Sequence, residues 1–281
     1  MKKYNRIFNY IIYKNINNFL KKMFVEKVIL DRNICNTIEI EKEKVVTGKN
    51  FYRLSLMKIL KYIFRSKVKM SQENIYIFVN EYNKNIMSII EELEVRFKSV
   101  NIITKNLKQY KKIEEKEFNK GYLLTVSNNK RKGAKNAKYI INFDFQKEEF
   151  EKYNIKRDAI IINLTEEKNI YGLAFNGVII NDFRVSASIN LKTYIDEFYG
   201  DIDENIFFEN LINKYNNKKE IIDKIYSEFD VKITDLIGVR GVIPKYEFIA
   251  TPLTKMQNWF NIFRILGYQY MKGEKTWEIK K

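Results

Sequence analysis

The chain has 281 residues, a formal charge of +16, one cysteine and no histidine. Without histidine there is no imidazole base, no common zinc ligand and no Ser-His or Cys-His nucleophile pair. The lone Cys35 rules out an intramolecular disulfide and fits a reducing, cytoplasmic setting.

No apolar run approaches the roughly 18 residues that cross a bilayer, so no transmembrane segment is expected. The first residues lack the uninterrupted apolar stretch of a signal peptide. Charge is uneven along the chain. Residues 1–73 hold 17 Lys and Arg against 6 Asp and Glu, residues 74–190 hold 20 against 15, and residues 191–281 hold 14 against 14. A basic first quarter attracts anions, which points to RNA, an anionic membrane surface or an acidic partner engaging residues 1–73.

In chain order, residues 4–24 place Ile7, Ile11, Phe19, Leu20 and Met23 on one stripe, with Lys14, Lys21 and Lys22 across from it. That spacing predicts an amphipathic helix, either docked on the protein or lying on a membrane. Strands are expected at 25–30 and 37–46, where Ile38 and Ile40 alternate with Glu39 and Glu41. Helical spacing returns at 51–64 through Leu54, Met57, Leu60 and Ile63. Residues 67–73 are polar and read as a link.

From residue 74 short apolar runs alternate with helical patterns. Strands are predicted at 75–80, 100–104, 122–126, 139–143, 159–164 and 177–181. Helices are predicted at 86–97, 110–118 and 146–153, with a short basic turn and helix about 130–137. Near-continuous apolar runs belong to strands buried on both faces, and strand–helix alternation builds a parallel sheet. The fold class expected is therefore α/β, with a Rossmann-like, mostly parallel sheet. Beyond residue 186 the pattern turns helical and neutral, with helices at 191–198, 206–214 and 219–229, a turn at Gly238 and Gly241, and an amphipathic stretch at 255–270. Three parts follow: a basic α+β region over 1–73, a Rossmann-like domain over 74–190 and a helical region over 191–281.

Three motifs carry a family resemblance. Ile102-Ile103-Thr104-Lys105-Asn106 ends the second strand, Ala137-Lys138-Tyr139-Ile140-Ile141-Asn142 forms the fourth, and Ala159-Ile160-Ile161-Ile162-Asn163-Leu164 the fifth. With them the segment resembles the NAD(P)-binding domain of the shikimate dehydrogenase and glutamyl-tRNA reductase group. The resemblance implies NADP as cofactor, with Thr104, Lys105 and Asn106 standing where that group often reads the NADP phosphate.

The first turn departs from the group. In place of Gly-x-Gly-x-x-Gly it reads Asn80-Glu81-Tyr82-Asn83-Lys84-Asn85. Glycines there permit the tight turn and the close approach of backbone to pyrophosphate. Side chains would crowd the phosphate, and Glu81 would repel it. A cofactor bound in spite of this would touch Asn80, Glu81, Tyr82 and Asn83. Asp144, Asn163 and Thr165 lie near carboxyl ends of strands, where open α/β sheets bind ligands; each could equally cap the segment that follows. The acting Lys and Asp of the shikimate dehydrogenases match no motif here, so no catalytic residue and no metal set are assigned.

Residues 128–133, Asn-Asn-Lys-Arg-Lys-Gly, form a dense basic turn that is either solvated or grips phosphate. The expectation for function is a degenerate Rossmann-like module, non-catalytic or regulatory, serving a nucleotide-like ligand or a protein partner. Two alternatives stand beside it: an NADP-dependent oxidoreductase with an altered phosphate turn, and a peripheral membrane or nucleic-acid binder using residues 1–73.

Overall fold

A computed structural model describes residues 45–64, 69–171, 175–200, 202–214 and 218–249, with short pieces at 14–15, 18–20, 22–23 and 27–29. The expected stretch at 255–270 and most of the helix expected at 4–24 lie outside the described residues. Within that helix, residues 14–15, 18–20 and 22 are helical; Leu20 is buried, whereas Phe19 and Met23 are exposed. Of the two early strands, the described residues show a single parallel bridge between Val28 and Val45.

Two short helices lead into the sheet, α1 (Lys49–Leu54) and α2 (Leu56–Ile63). The sheet then follows in strict alternation: β1 (Asn74–Phe78), α3 (Lys84–Arg96), β2 (Ser99–Ile103), α4 (Leu107–Phe118) and β3 (Leu124–Ser127). Next come β4 (Tyr139–Asn142), α5 (Lys147–Phe150), β5 (Ile160–Asn163) and β6 (Val178–Ile180). Gly121, at φ +86, takes the left-handed turn that ends α4 and releases the chain towards β3.

The six strands form one parallel sheet in the order β3-β2-β1-β4-β5-β6. This is the doubly wound, Rossmann-like α/β arrangement, and its order reverses between β1 and β4. Strand side chains split cleanly by period two. Ile75, Ile77, Val100, Ile102, Ile141 and Ile162 join one core with α2, α3 and α4. Phe78, Ile103, Ile140 and Ile161 join a second, smaller core.

That second face is thinly covered. The expected helix at 130–137 is instead a series of turns, and the one expected at 146–153 shortens to the single turn of α5. Burial needs only Ala134, Ala137, Phe145, Phe150 and Tyr153 there, and a chain of turns supplies them. Phe78 sits at the centre, with ring centroids 4.6 Å from Phe150 and 5.3 Å from Phe145.

After β6 the chain turns into a second, antiparallel sheet. Strand β7 (Asp182–Ser186) pairs with β8 (Lys232–Gly238), which pairs with β9 (Gly241–Ile243). Helices α6 (Ile189–Tyr199), α7 (Glu204–Asn213) and α8 (Lys218–Glu228) intervene, and α9 (Lys245–Ile249) follows. The region beyond residue 186 is thus not purely helical. Its hairpin escaped the sequence pattern because Gly238 and Gly241 are themselves strand ends and only one residue in three of β9 is buried. Helix α1 packs among these later elements: Phe51 lies 5.4 Å from Phe183 of β7 and 5.3 Å from Phe208 of α7.

Candidate functional site

In an open α/β sheet the ligand crevice opens beyond the carboxyl ends of the strands flanking the reversal of order, here β1 and β4. The connection after β1, residues 79–83, has no regular secondary structure, and no residue in it has a positive φ. Glycine is therefore not required for its conformation. Asn83, at φ −147 and ψ 167, is the N-cap of α3, and its Oδ1 accepts the Ile86 N–H at 2.9 Å. Its Nδ2 donates to Glu81 Oε1 at 2.7 Å.

Asp144, two residues past β4, reaches across the reversal point. The Asn80 N–H donates to its carboxylate at 2.9 Å to either oxygen, and the Glu81 N–H donates at 2.6 Å. These are the amides that would face a pyrophosphate in the usual Rossmann geometry. Here an internal carboxylate holds them. Burial pushes the Asp144 pKa up, the two backbone N–H bonds pull it down, and the balance lies above the ordinary Asp value.

Lys105 is drawn into the same cluster. Its N–H donates to Asn80 Oδ1 at 2.9 Å and its ammonium pairs with Glu149 Oε1 at 2.8 Å. Asn80 Nδ2 donates to the same Glu149 oxygen at 3.2 Å. Tyr110 of α4 closes the side: its hydroxyl donates to the Glu81 carbonyl at 2.6 Å, and its ring meets Tyr82 edge-on at 5.6 Å. Desolvation raises the Tyr110 pKa, so the hydroxyl stays protonated.

Asn80, Glu81, Tyr82, Asn83, Lys105 and Asp144 therefore converge. Thr104 and Asn106 sit beside them and organise the start of α4: Thr104 Oγ1 accepts the Asn106 N–H at 3.0 Å, and Asn106 donates to Gln109. Glu149 and Tyr110 complete the cluster and were not foreseen, since each is one of many similar residues on a helix facing a partner far away in sequence.

Asn163 stands apart. It is the middle rung of a buried amide ladder across the ends of β4, β5 and β6. Asn142 Nδ2 donates to Asn163 Oδ1 at 3.1 Å, and Asn163 Nδ2 donates to Asn181 Oδ1 at 2.7 Å. Thr165 Oγ1 donates to Asn163 Oδ1 at 2.9 Å. The last donor, Asn181 Nδ2, has no partner among the described residues. A signal existed for this ladder: Ile-Ile-Asn occurs at 140–142, 161–163 and 179–181. In a parallel sheet the register Asn142↔Asn163 stacks the first two rungs directly.

The amides at the reversal point are already occupied from within the chain. A pyrophosphate set against the Asn80 and Glu81 amides would meet the Asp144 carboxylate and lie beside that of Glu81, and the nearby cation is already paired with Glu149. Among the described residues no group of His, Cys, Asp and Glu could hold a metal ion, and no helix is long and apolar enough to cross a membrane.

A separate cleft of about 720 Å³ opens between the segment leading into β6 and the β8–β9 hairpin. Tyr171 and Phe175, with centroids 5.0 Å apart, line it with Asn169, Arg240 and Glu247. Comparison with known proteins adds no functional label: no protein-family model matches the sequence, and no curated protein matches it.

Proposed function

We propose that this chain is a degenerate Rossmann-like binding or regulatory module without oxidoreductase activity. The observation carrying this reading is the seat of Asp144 on the Asn80 and Glu81 amides. A carboxylate in that seat both satisfies the donors and repels an incoming phosphate, so dinucleotide binding would have to displace it and leave its charge unpaired. Asn83 Oδ1 already accepts the Ile86 N–H at the start of α3. The ligand of such a module is a nucleotide-like molecule or a protein partner held elsewhere, and the aromatic cleft beside β6 offers the space and stacking surface for the former.

Kinship with the shikimate dehydrogenase and glutamyl-tRNA reductase group belongs to this proposal as ancestry of the sheet. What supports it is that the resembling motifs fall at the end of β2 and along β4 and β5.

A thermal-shift series with NAD, NADP, their reduced forms, ATP and S-adenosylmethionine tests the reading. A ligand at 100 times its dissociation constant stabilises a fold by about 2.7 kcal/mol. NAD, NADP and their reduced forms are expected to leave the melting temperature unchanged. A shift with NADPH, together with its consumption in the presence of a hydroxy acid or aldehyde couple, would replace this reading with that of an active NADP enzyme.

A further inference from the structure

We infer that the thinly covered face of the parallel sheet is a binding surface for nucleic acid, gripped through its phosphodiester backbone. Two segments build that surface. The connection from β3 to β4 carries Lys130, Arg131, Lys132 and Lys135, and the connection from α5 to β5 carries Lys152, Lys156 and Arg157. All seven side chains are exposed. None is held in an ion pair among the described residues. Over 130–135 and 151–158 the only acids are Glu151 and Asp158. Elsewhere on the sheet several cations are balanced locally, Lys105 by Glu149, Lys111 by Glu114 and Lys120 by Glu117.

The two segments are fixed to each other and to the sheet. The Asn154 N–H donates to the Lys130 carbonyl at 2.8 Å, which joins them into one surface. Asn129 Oδ1 accepts the Arg131 and Lys132 N–H groups at 3.0 and 2.9 Å. Gly133 lets the turn lie flat, because a Cβ there would stand 2.6 Å from the Asn129 carbonyl oxygen and 3.3 Å from Ile103. Ala134 and Ala137 anchor it from below with no exposed surface. Charges on a backbone already ordered need little further ordering when a polyanion arrives.

Chemistry selects the partner. A membrane surface needs apolar side chains beside the cations to insert between lipids. The exposed large apolar residues among those described, such as Val95, Phe118 and Leu123, all lie outside these two segments. A phosphodiester chain presents a fixed charge at every step, and its counterions are released on contact with Lys and Arg, so binding needs neither insertion nor base reading. This inference is independent of what occupies the Asn80 and Glu81 amides.

The test is fluorescence anisotropy of the full chain with a labelled mixed-sequence 20-mer RNA, titrated with salt. Three proteins are compared: the wild type, the variant Lys130→Glu/Arg131→Glu/Lys132→Glu, and a charge-matched control, Lys84→Glu/Lys108→Glu/Lys112→Glu, on the helices of the opposite face. The wild type should bind with affinity that falls steeply with salt, losing about 0.7 of a log unit per log unit of salt for each phosphate contacted. The thin-face variant should bind at least about tenfold more weakly with a shallower salt slope, and the control within about threefold of wild type. Circular dichroism melts confirm that both variants fold. Equal weakening by the control, absence of RNA binding at low salt, or preferential binding of polyglutamate or phosphatidylglycerol vesicles lost in the same thin-face variant would each overturn the assignment.

Discussion

Asp144 shows how one side chain can occupy the backbone donors at the reversal point of a parallel sheet. Replacing it by alanine leaves two amide donors without their acceptor, and an unmet donor that is only partly buried costs on the order of 1–2 kcal/mol. Urea denaturation should therefore rank wild type above Asp144→Asn, which keeps one oxygen, and Asp144→Asn above Asp144→Ala; equal midpoints for all three would show that the seat contributes nothing. The sequence reveals this residue only halfway. Its position past the fourth strand marks it for the ligand end of the sheet, yet its donors lie 64 and 63 residues earlier, a pairing that no local spacing encodes. Asn83 is the converse case. As an Asn three residues before the apolar Ile86 it has the position of a helix cap, and that local role is the one it plays.

At the scale of elements, the pairing of α3 with α4 buries two acids together. Glu94 and Glu117 are 6 % and 2 % exposed, and Lys120 pairs with Glu117 at 2.8 Å. Burial first, then the neighbouring Glu117 charge, pushes the Glu94 pKa from 4.5 up to about 7, with Glu91 adding repulsion and Lys120 opposing it. A raised acid pKa means that the folded state holds the proton more tightly than the unfolded one. The stability that follows is complete below the unfolded value and is lost as pH rises through about 7. Glu94→Gln, which keeps a donor towards Glu117 without the charge, should match wild type near pH 4 and exceed it by on the order of 1–2 kcal/mol by pH 8. A wild-type-to-variant difference that stayed flat across that range would contradict the assignment.

The helices themselves were legible: α3 and α4 are expected at 86–97 and 110–118 and occur at Lys84–Arg96 and Leu107–Phe118, because apolar spacing and terminal glycine or asparagine mark them. The turns of the thin face were not. Alanine-rich and lysine-rich stretches such as 130–137 read as helix by propensity, whereas Asn129 and Gly133 hold them in turns.

For the molecule as a whole, early and late parts of the chain fold around each other. Phe51 of α1 has no exposed surface and lies among Phe183, Phe208 and Tyr226. From the same helix Tyr52 donates to the Ile180 carbonyl at 2.9 Å and Arg53 to the Leu164 carbonyl at 2.9 Å, which ties it to the parallel sheet as well. Phe51→Ala should cost about 3–5 kcal/mol and lower the melting temperature by roughly 10 °C. Far- and near-ultraviolet circular dichroism should still report one shared transition. Two separate melts would mean that the sheets unfold independently. The Ile-Ile-Asn ladder bears on how such a chain finds its alignment. Long crossovers bring parallel strands together, and a slip of two residues keeps every isoleucine on its proper face, so greasy patterning alone accepts the wrong match. A buried asparagine does not. Shifted by two, Asn142 and Asn163 would each face aliphatic neighbours and forfeit their amide partners, and the sheet would reject the slipped pairing. Three polar rungs thus act as a proofreading mark for strand registry, and the species expected on replacing Asn163 with leucine is a well-packed sheet that has lost its single alignment.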